Sequence, residues 1–357
     1  MQGQTLESAG HRLRGFTTQD MIADHLVTMK TDWHANSIRI MMRPDYICRT
    51  KGYETDALGW QEVMDQLPGY LDCAAELGIA VILDLHGVPN DNRRRYHRER
   101  KKALSDFWND DSNLEAMIAC WRQIAEMCVT RDQIVWYDIL NEPLDWQDFP
   151  KVARKWPDWA QQTIHAIREI DPHSPAVVEV GPGGLCWGFD EFPVLEGEQI
   201  IYSTHQYQPH EYTHQGISNL NNTDLAKAYA NAKLGWPGEF ADTGGGWWDK
   251  TRMEEEMAAM IRFQERHEAR IYISEFGVAR WCPNGADYLR DNLEIFEAYG
   301  WDWSMHSYKE NPIWCLEHED PFEEVIPATS LTERGKVMKM YFEKNRFYES
   351  AGVGGTV

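Results

Sequence analysis

Ile134-Val135-Trp136-Tyr137-Asp138-Ile139-Leu140-Asn141-Glu142-Pro143 passes within ten residues from an apolar run to an amide, a carboxylate and a proline. The apolar part has a strand's length and little polar alternation, the pattern of a strand covered on both faces, as in a parallel sheet. Proline cannot donate to a sheet ladder, so the strand stops there and delivers Asn141 and Glu142 at its C-terminal tip.

Runs of the same kind recur on both sides, at Arg12–Phe16, Ser37–Met42, Ile79–Leu85, Ala176–Val180, Ile200–Thr204, Arg270–Ser274 and Trp301–Met305. Between them lie amphipathic stretches. Gln61–Leu77 aligns Val63, Leu67, Leu71 and Ala74 on one face. Asn113–Val129 does the same with Leu114, Met117, Ile118, Trp121, Ile124 and Cys128. Trp156–Ile170, Glu254–His267, Ala286–Ala298 and Thr332–Glu343 follow suit. Strands alternating with helices make a parallel sheet, and eight strands are the number that closes a barrel. The expected fold is therefore α/β, a single (β/α)8 TIM barrel with its site at the C-terminal face of the strands. An open doubly wound sheet would carry a glycine-rich phosphate turn after its first strand, and none is present. Gly181-Pro182-Gly183-Gly184 follows the fifth strand, lacks the fingerprint spacing and reads as a turn.

A barrel needs roughly 250 residues, more with insertions. All of residues 1–357 are accordingly read as one catalytic domain, with extended loops around 87–112 and 206–250 and a short first barrel element. A monomer is expected. Asp plus Glu number 57 against 35 Lys plus Arg, a net charge of −22. Such a chain repels phosphate backbones and anionic bilayers, which excludes nucleic acid and membrane surfaces as partners. The basic run Arg93–Lys102 is the local exception and reads as a solvated loop. Seven Cys without CxxC spacing are neither a zinc cluster nor a disulfide framework. No stretch of about 18 apolar residues would span a membrane. Met1-Gln2-Gly3-Gln4 lacks a basic n-region and an apolar h-region, which fits a cytoplasmic protein or one whose secretory segment has been removed. Sixteen Trp is a high count. Trp146, Trp156, Trp236, Trp247, Trp248 and Trp314 sit in loop-like sequence, where flat apolar rings suit ligands with C–H faces, such as sugars.

Barrel chemistry sits at strand ends, so groups found there are expected to cooperate. Arg39 lies in the second run, where burial requires an anionic partner. His86 ends the third. Asn141 and Glu142 end the fourth, His205 and Tyr207 the sixth, and Glu275 the seventh, in Ile273-Ser274-Glu275-Phe276-Gly277. The fourth and seventh strands of a barrel face each other across its mouth. Two opposed carboxylates are the machinery of glycoside hydrolysis: at about 5–5.5 Å, one attacks the anomeric carbon while the other protonates the leaving oxygen. Arg39 would keep the nucleophile ionised, Tyr207 would donate to it, and Asn141 would hold a sugar 2-hydroxyl. The acid must start protonated, so its pKa is expected to be raised.

Taken in order, Asn36-x-x-Arg39, His86, Asn141-Glu142-Pro143, His205-x-Tyr207 and Ser274-Glu275-Phe276-Gly277 resemble the motif series of glycoside hydrolase family 5. That family belongs to the clan of barrel enzymes with catalytic Glu on strands four and seven, and the resemblance runs from about Arg39 to Lys309. It implies Glu142 as acid/base, Glu275 as nucleophile, and Arg39, His86, Asn141, His205 and Tyr207 around the sugar. No metal or organic cofactor is expected. The implied activity is retaining cleavage of a β-glycan polysaccharide or oligosaccharide, foremost as an endo-β-1,4-glucanase (cellulase). A β-mannanase, a xyloglucan or mixed-linkage glucanase and an exo-β-glucosidase are the near alternatives. A non-catalytic carbohydrate-binding barrel and a metal-dependent hydrolase, the latter using His205, His210 and His214, are the distant ones. Family members place a sugar-stacking Trp near the end of strand eight. Here Trp301-Asp302-Trp303-Ser304-Met305-His306 offers Trp303 or His306 for that floor. His210–Gly216 is expected to face substrate, and Gly244-Gly245-Gly246-Trp247-Trp248 to form a mobile loop over the cleft.

Overall fold

The computed structural model describes residues 12–89, 100–131, 133–217, 234–241, 244–322 and 324–348, with side chains from 105 onward in the second segment. Ten strands follow in order: β1 (Arg14–Thr18), β2 (Ser37–Met42), β3 (Ala80–Leu85), β4 (Val135–Asp138), β5 (Ala176–Glu179), β6 (Ile200–Gln206), β7 (Gly238–Phe240), β8 (Gly246–Trp248), β9 (Arg270–Phe276) and β10 (Asp302–His306). Eight of them form a closed parallel barrel, β1-β2-β3-β4-β5-β6-β9-β10, with β10 pairing back to β1. The (β/α)8 barrel anticipated from the alternation is the fold. β1, expected to be short, has five residues, all buried, and pairs on both edges.

Side chains alternate across a strand, and this alternation builds the site. Leu13, Ala80, Ile82, Trp136, Val177, Ile201 and Tyr272 form an apolar plug inside the barrel, separate from the larger core beneath the helices. Two residues further along the same inner face come Asp84 after Ile82, Asp138 after Trp136 and Glu179 after Val177, all fully buried. The barrel interior is thus apolar at the bottom and charged directly under the mouth.

Helices close the outside. Asp56–Leu77 buries Trp60, Val63, Leu67, Tyr70, Leu71 and Ala74 and stops at Gly78, whose φ of 66° is the left-handed cap that glycine accommodates. Glu254–His267, read as one helix, is two, Lys250–Glu256 and Ala258–His267. Asp249 caps the first through the Arg252 N–H, and Met257, with φ −85° and ψ 2°, breaks the axis between them. The glycine-rich loop is also different from expectation. Gly246–Trp248 pairs antiparallel with Gly238–Phe240, and Trp248 is buried under the Arg252 guanidinium rather than over the cleft. No helix among the described residues is long and apolar enough to cross a membrane. Met1-Gln2-Gly3-Gln4 and the side chains of Arg93–Lys102 lie outside the described residues, as do parts of both extended loops.

Candidate active site

The strand ends open into a cleft of about 610 Å³. His86, Asn141, Glu142, His205, Tyr207, Glu275 and His306 line it together, with Arg39 buried directly beneath.

Arg39 organises the floor. Its Nη1 donates to Glu275 Oε1 at 2.7 Å, its Nε to Asp138 Oδ2 at 2.8 Å and its Nη2 to Asn141 Oδ1 at 3.1 Å. Asp84 Oδ2 lies 3.1 Å from the same Nη2 and 2.8 Å from His86 Nδ1, so one carboxylate orients both residues. A fully buried guanidinium is tolerable because three carboxylates surround it.

Glu275 receives a second donor on its other oxygen, the Tyr207 hydroxyl at 2.9 Å. Burial alone would raise its pKa. The charges of His205, His306 and Arg39 outweigh that and hold it far below the usual carboxylate range. The group is therefore ionised and fixed at both oxygens.

Glu142 is placed differently. Its backbone takes a φ of 45°, a left-handed value rare for a residue other than glycine. The side chain is 41% exposed into the cleft and reaches His205 Nδ1 at 3.2 Å. The same nitrogen lies 3.7 Å from Glu275 Oε2, so one imidazole joins the two carboxylates. The raised pKa expected for an acid is not what Glu142 has at rest. Burial pushes it up, but the hydrogen bond and charge of His205 pull it below the ordinary value.

His205 is itself held in a seat. Its backbone N–H donates to the Gly184 carbonyl at 2.8 Å, and a Cβ on Gly184 would meet the ring at 3.0 Å. The turn Gly181–Gly184 is thus part of the site. On the far side, Nε2 lies 3.1 Å from Glu179 Oε2. Burial disfavours the cationic ring, yet Glu179, Glu275 and Glu142 together raise its pKa well above the usual histidine value.

At β10, the eighth strand of the barrel, only one of the two candidates reaches the cleft. His306 shares the inner face with Asp302 and Ser304, 4.0 Å from Glu275 Oε2 and 3.8 Å from Glu310 Oε1. Trp303, the other residue expected at the sugar floor, lies three positions earlier and points outward, away from the cleft. It is buried against Phe276 and Phe342, and its Nε1 donates to Glu297 at 3.3 Å. His210 and His214 face the cleft and stack on each other with centroids 3.7 Å apart. Among the described residues no group of three His, Cys, Asp or Glu is arranged to hold a metal. Of the loop-like tryptophans only Trp314 lines the cleft, its ring against Tyr207, His214 and His306.

Sequence reasoning missed Asp84, Asp138, Glu179 and Glu310. The first three were detectable, because a carboxylate inside an apolar strand carries the same burial cost that singled out Arg39. Glu310 follows the last strand in irregular sequence, where no period marks it. Its burial pushes its pKa up to about 8.

With this geometry, residues 2–312 match the family described as Cellulase (glycosyl hydrolase family 5). A β-xylosidase of Phanerodontia chrysosporium is 24% identical over 266 residues, 70% of this chain and 49% of that protein. Endoglucanase C of Acetivibrio thermocellus is 22% identical over 260 residues, 67% of this chain and 71% of that one. The chain therefore spans about half the length of the first relative. The structure of Thermotoga maritima Cel5A in complex with cellobiose shares the fold with a TM-score of 0.68 at 17% identity, over 94% of this chain and 100% of that one.

Proposed function

The chain belongs to glycosyl hydrolase family 5, and from that premise we propose that it is a retaining endo-β-1,4-glucanase with Glu275 as nucleophile and Glu142 as acid/base. The observation that carries this reading is the single nitrogen, His205 Nδ1, lying 3.2 Å from Glu142 and 3.7 Å from Glu275. The nearest oxygens of the two carboxylates cannot be further apart than the sum of those distances. That bound admits the roughly 5–5.5 Å of a retaining pair and reaches only the short end of the roughly 6.5–9.5 Å of an inverting one.

The asymmetry of the surroundings assigns the roles. Glu275 is ionised and oriented at both oxygens by Arg39 and Tyr207, as an attacking group must be. Its oxygen forms the bond to the anomeric carbon as the glycosidic bond breaks, and Glu142 gives a proton to the departing oxygen. Glu142 then takes a proton from water, which attacks the same carbon and releases Glu275. Arg39 holds Asn141 by its amide oxygen, which turns the amide nitrogen the other way, toward a sugar 2-hydroxyl.

A second reading, exo action or a different β-glycan, is favoured by one observation. The strand-eight position holds His306 backed by Glu310, a polar pair where an aromatic floor would accept a long flat glucan. The test is a digest of carboxymethylcellulose, barley β-glucan, xyloglucan, laminarin, glucomannan and galactomannan, with wild type beside Glu275→Ala. Oligosaccharides from β-1,4-glucan, absent with the variant, are the expected result. Monosaccharide alone would move the assignment to an exo-enzyme. Undiminished product from Glu275→Ala would end the mechanism.

A further inference from the structure

Glu179 has no part in the two-carboxylate chemistry, yet it is the least explained charge in the barrel. It ends β5, its side chain is fully buried, and neither oxygen takes a hydrogen bond among the described residues. A carboxylate so placed is costly unless a cation compensates it. The compensating group in contact is His205, whose Nε2 lies 3.1 Å from Oε2. The opposite nitrogen of that ring faces Glu142. Glu179, His205 and Glu142 therefore form a line from the buried barrel wall into the cleft.

We propose that Glu179 is a positioning residue that keeps His205 as an imidazolium, and that His205 stores the proton which Glu142 delivers to the leaving group. This rests on the assignment of Glu142 as acid/base. It also accounts for the low resting pKa of Glu142. In the empty site the proton sits on His205 Nδ1 and Glu142 is a carboxylate. A bound sugar strips water from Glu142, which favours its neutral form. The Nδ1 proton then crosses the 3.2 Å to Glu142 Oε1, leaving a neutral ring with its Nε2–H toward Glu179. Glu142 passes that proton to the departing oxygen as the bond to Glu275 forms. In the second half, the proton that Glu142 takes from the attacking water returns to His205. Burial raises the pKa of Glu179 and the charge of His205 opposes that rise; as a carboxylate 3.1 Å from Nε2, Glu179 favours the tautomer that carries its proton there.

The charges bearing on this line are Arg39 from β2, Asp138 from β4 and Glu275 from β9. His86 beyond β3 acts on Glu142. The Tyr207 hydroxyl beyond β6 is committed to Glu275. His210 and His306 complete the surroundings and are neutral above about pH 4, because burial holds their pKa there. Glu179 is thus the negative charge on the Nε2 side of the ring.

The experiment compares wild type, Glu179→Gln and Glu179→Asp on phenyl and 2,4-dinitrophenyl β-cellobiosides across pH. The alkaline limb of kcat/KM for the phenyl glycoside should move to lower pH by roughly 1–3 units in Glu179→Gln, the size of one close charge. It should stay near wild type in Glu179→Asp. The dinitrophenyl glycoside, whose leaving group needs no proton, should change little. Retained turnover with an unmoved limb overturns the relay. The second measurement is the His205 imidazole 15N spectrum, expected to be cationic at pH 7 in wild type and neutral in Glu179→Gln. A neutral ring in the wild type overturns the proposal even if the variant does not fold. If wild type cleaved neither glycoside, the reaction assignment would fail, and the spectra would still judge the charge state.

Discussion

His205 and Glu275 are register partners on β6 and β9, one position past a slip in the pairing between Thr204 and His205. A slip of this kind re-aims side chains, and past it both residues line the cleft. Each is then met from below. Arg39 takes one oxygen of Glu275, and Glu179 stands behind the His205 ring. Both residues are therefore supported by a layer of buried charges two residues above the apolar plug.

That layer makes Arg39 as much a folding residue as a site residue. Arg39→Met would leave Asp84, Asp138 and Glu275 close together without a cation. Removing one partner of a buried ion pair costs about 3–5 kcal/mol, and urea unfolding should show at least this loss alongside lost turnover. Arg39→Lys keeps a charge but cannot reach Glu275, Asp138 and Asn141 at once, so it should fall between the two. An Arg39→Met variant as stable as wild type would contradict the charged-layer account.

The buried titratable groups also give stability a predicted dependence on pH. His210 and His306 have folded pKa values of about 4, below the ordinary histidine value of 6.5. Between those limits the unfolded chain binds more protons, so their contribution rises with pH up to about 6.5. Glu310 has a folded value of about 8 against 4.5, so the folded chain holds the extra proton and its contribution falls as pH rises toward 8. His205, raised above 6.5, acts in the same direction as Glu310. These groups together place maximum stability near pH 6.5. Urea midpoints from pH 4 to 8.5 check this, and Glu310→Gln should flatten the alkaline decline.

Much of this was legible in the chain because both signals are local. An apolar run of strand length marks a strand covered on both faces, and a carboxylate with proline or glycine within the next two residues marks its C-terminal end. Glu142 and Glu275 carried both signals. Glu179 sits one residue earlier, inside Ala176-Val177-Val178-Glu179-Val180, and was absorbed into the run. Counting the two-residue step from Val177 would have put it on the inner face. The same parity separates Ser304 and His306 from Trp303 and Met305. Glu310 and Trp314 lie beyond the last strand, in sequence without a period, and their place depends on the chain's return over the mouth. The seat that Gly184 makes for His205 is a contact across the β5 and β6 ends, which no spacing along the chain encodes.

The two strand-eight candidates can be separated by what their loss disturbs. Trp303→Ala removes a ring packed against Phe276 and Phe342 and should cost about 3–5 kcal/mol of stability, with KM unchanged in the protein that remains folded. His306→Ala empties a cleft position beside Glu275 and Glu310, so it should raise KM for glycan with little effect on unfolding. Urea unfolding and initial rates on the same preparations decide it. A KM change confined to Trp303→Ala would put the sugar floor back on the tryptophan.

Gly184→Ala tests how closely His205 must be held. The glycine has a φ of +84°, so an alanine there is strained at once. Its Cβ would also meet His205 Nδ1 at 3.0 Å, Cγ at 3.1 Å and Cβ at 3.2 Å. The ring must tilt or the turn must open, and either movement pulls Nδ1 away from Glu142. A displacement of about 1 Å in a positioned group costs on the order of 100-fold in rate. The loss should appear in kcat for substrates with poor leaving groups, which depend on proton delivery, and much less for dinitrophenyl glycosides. Equal losses on both would mean that the glycine shapes the cleft for sugar binding and not for the proton. A variant with unchanged kcat on both would show that His205 tolerates displacement, and its short approach to Glu142 would then have no catalytic consequence.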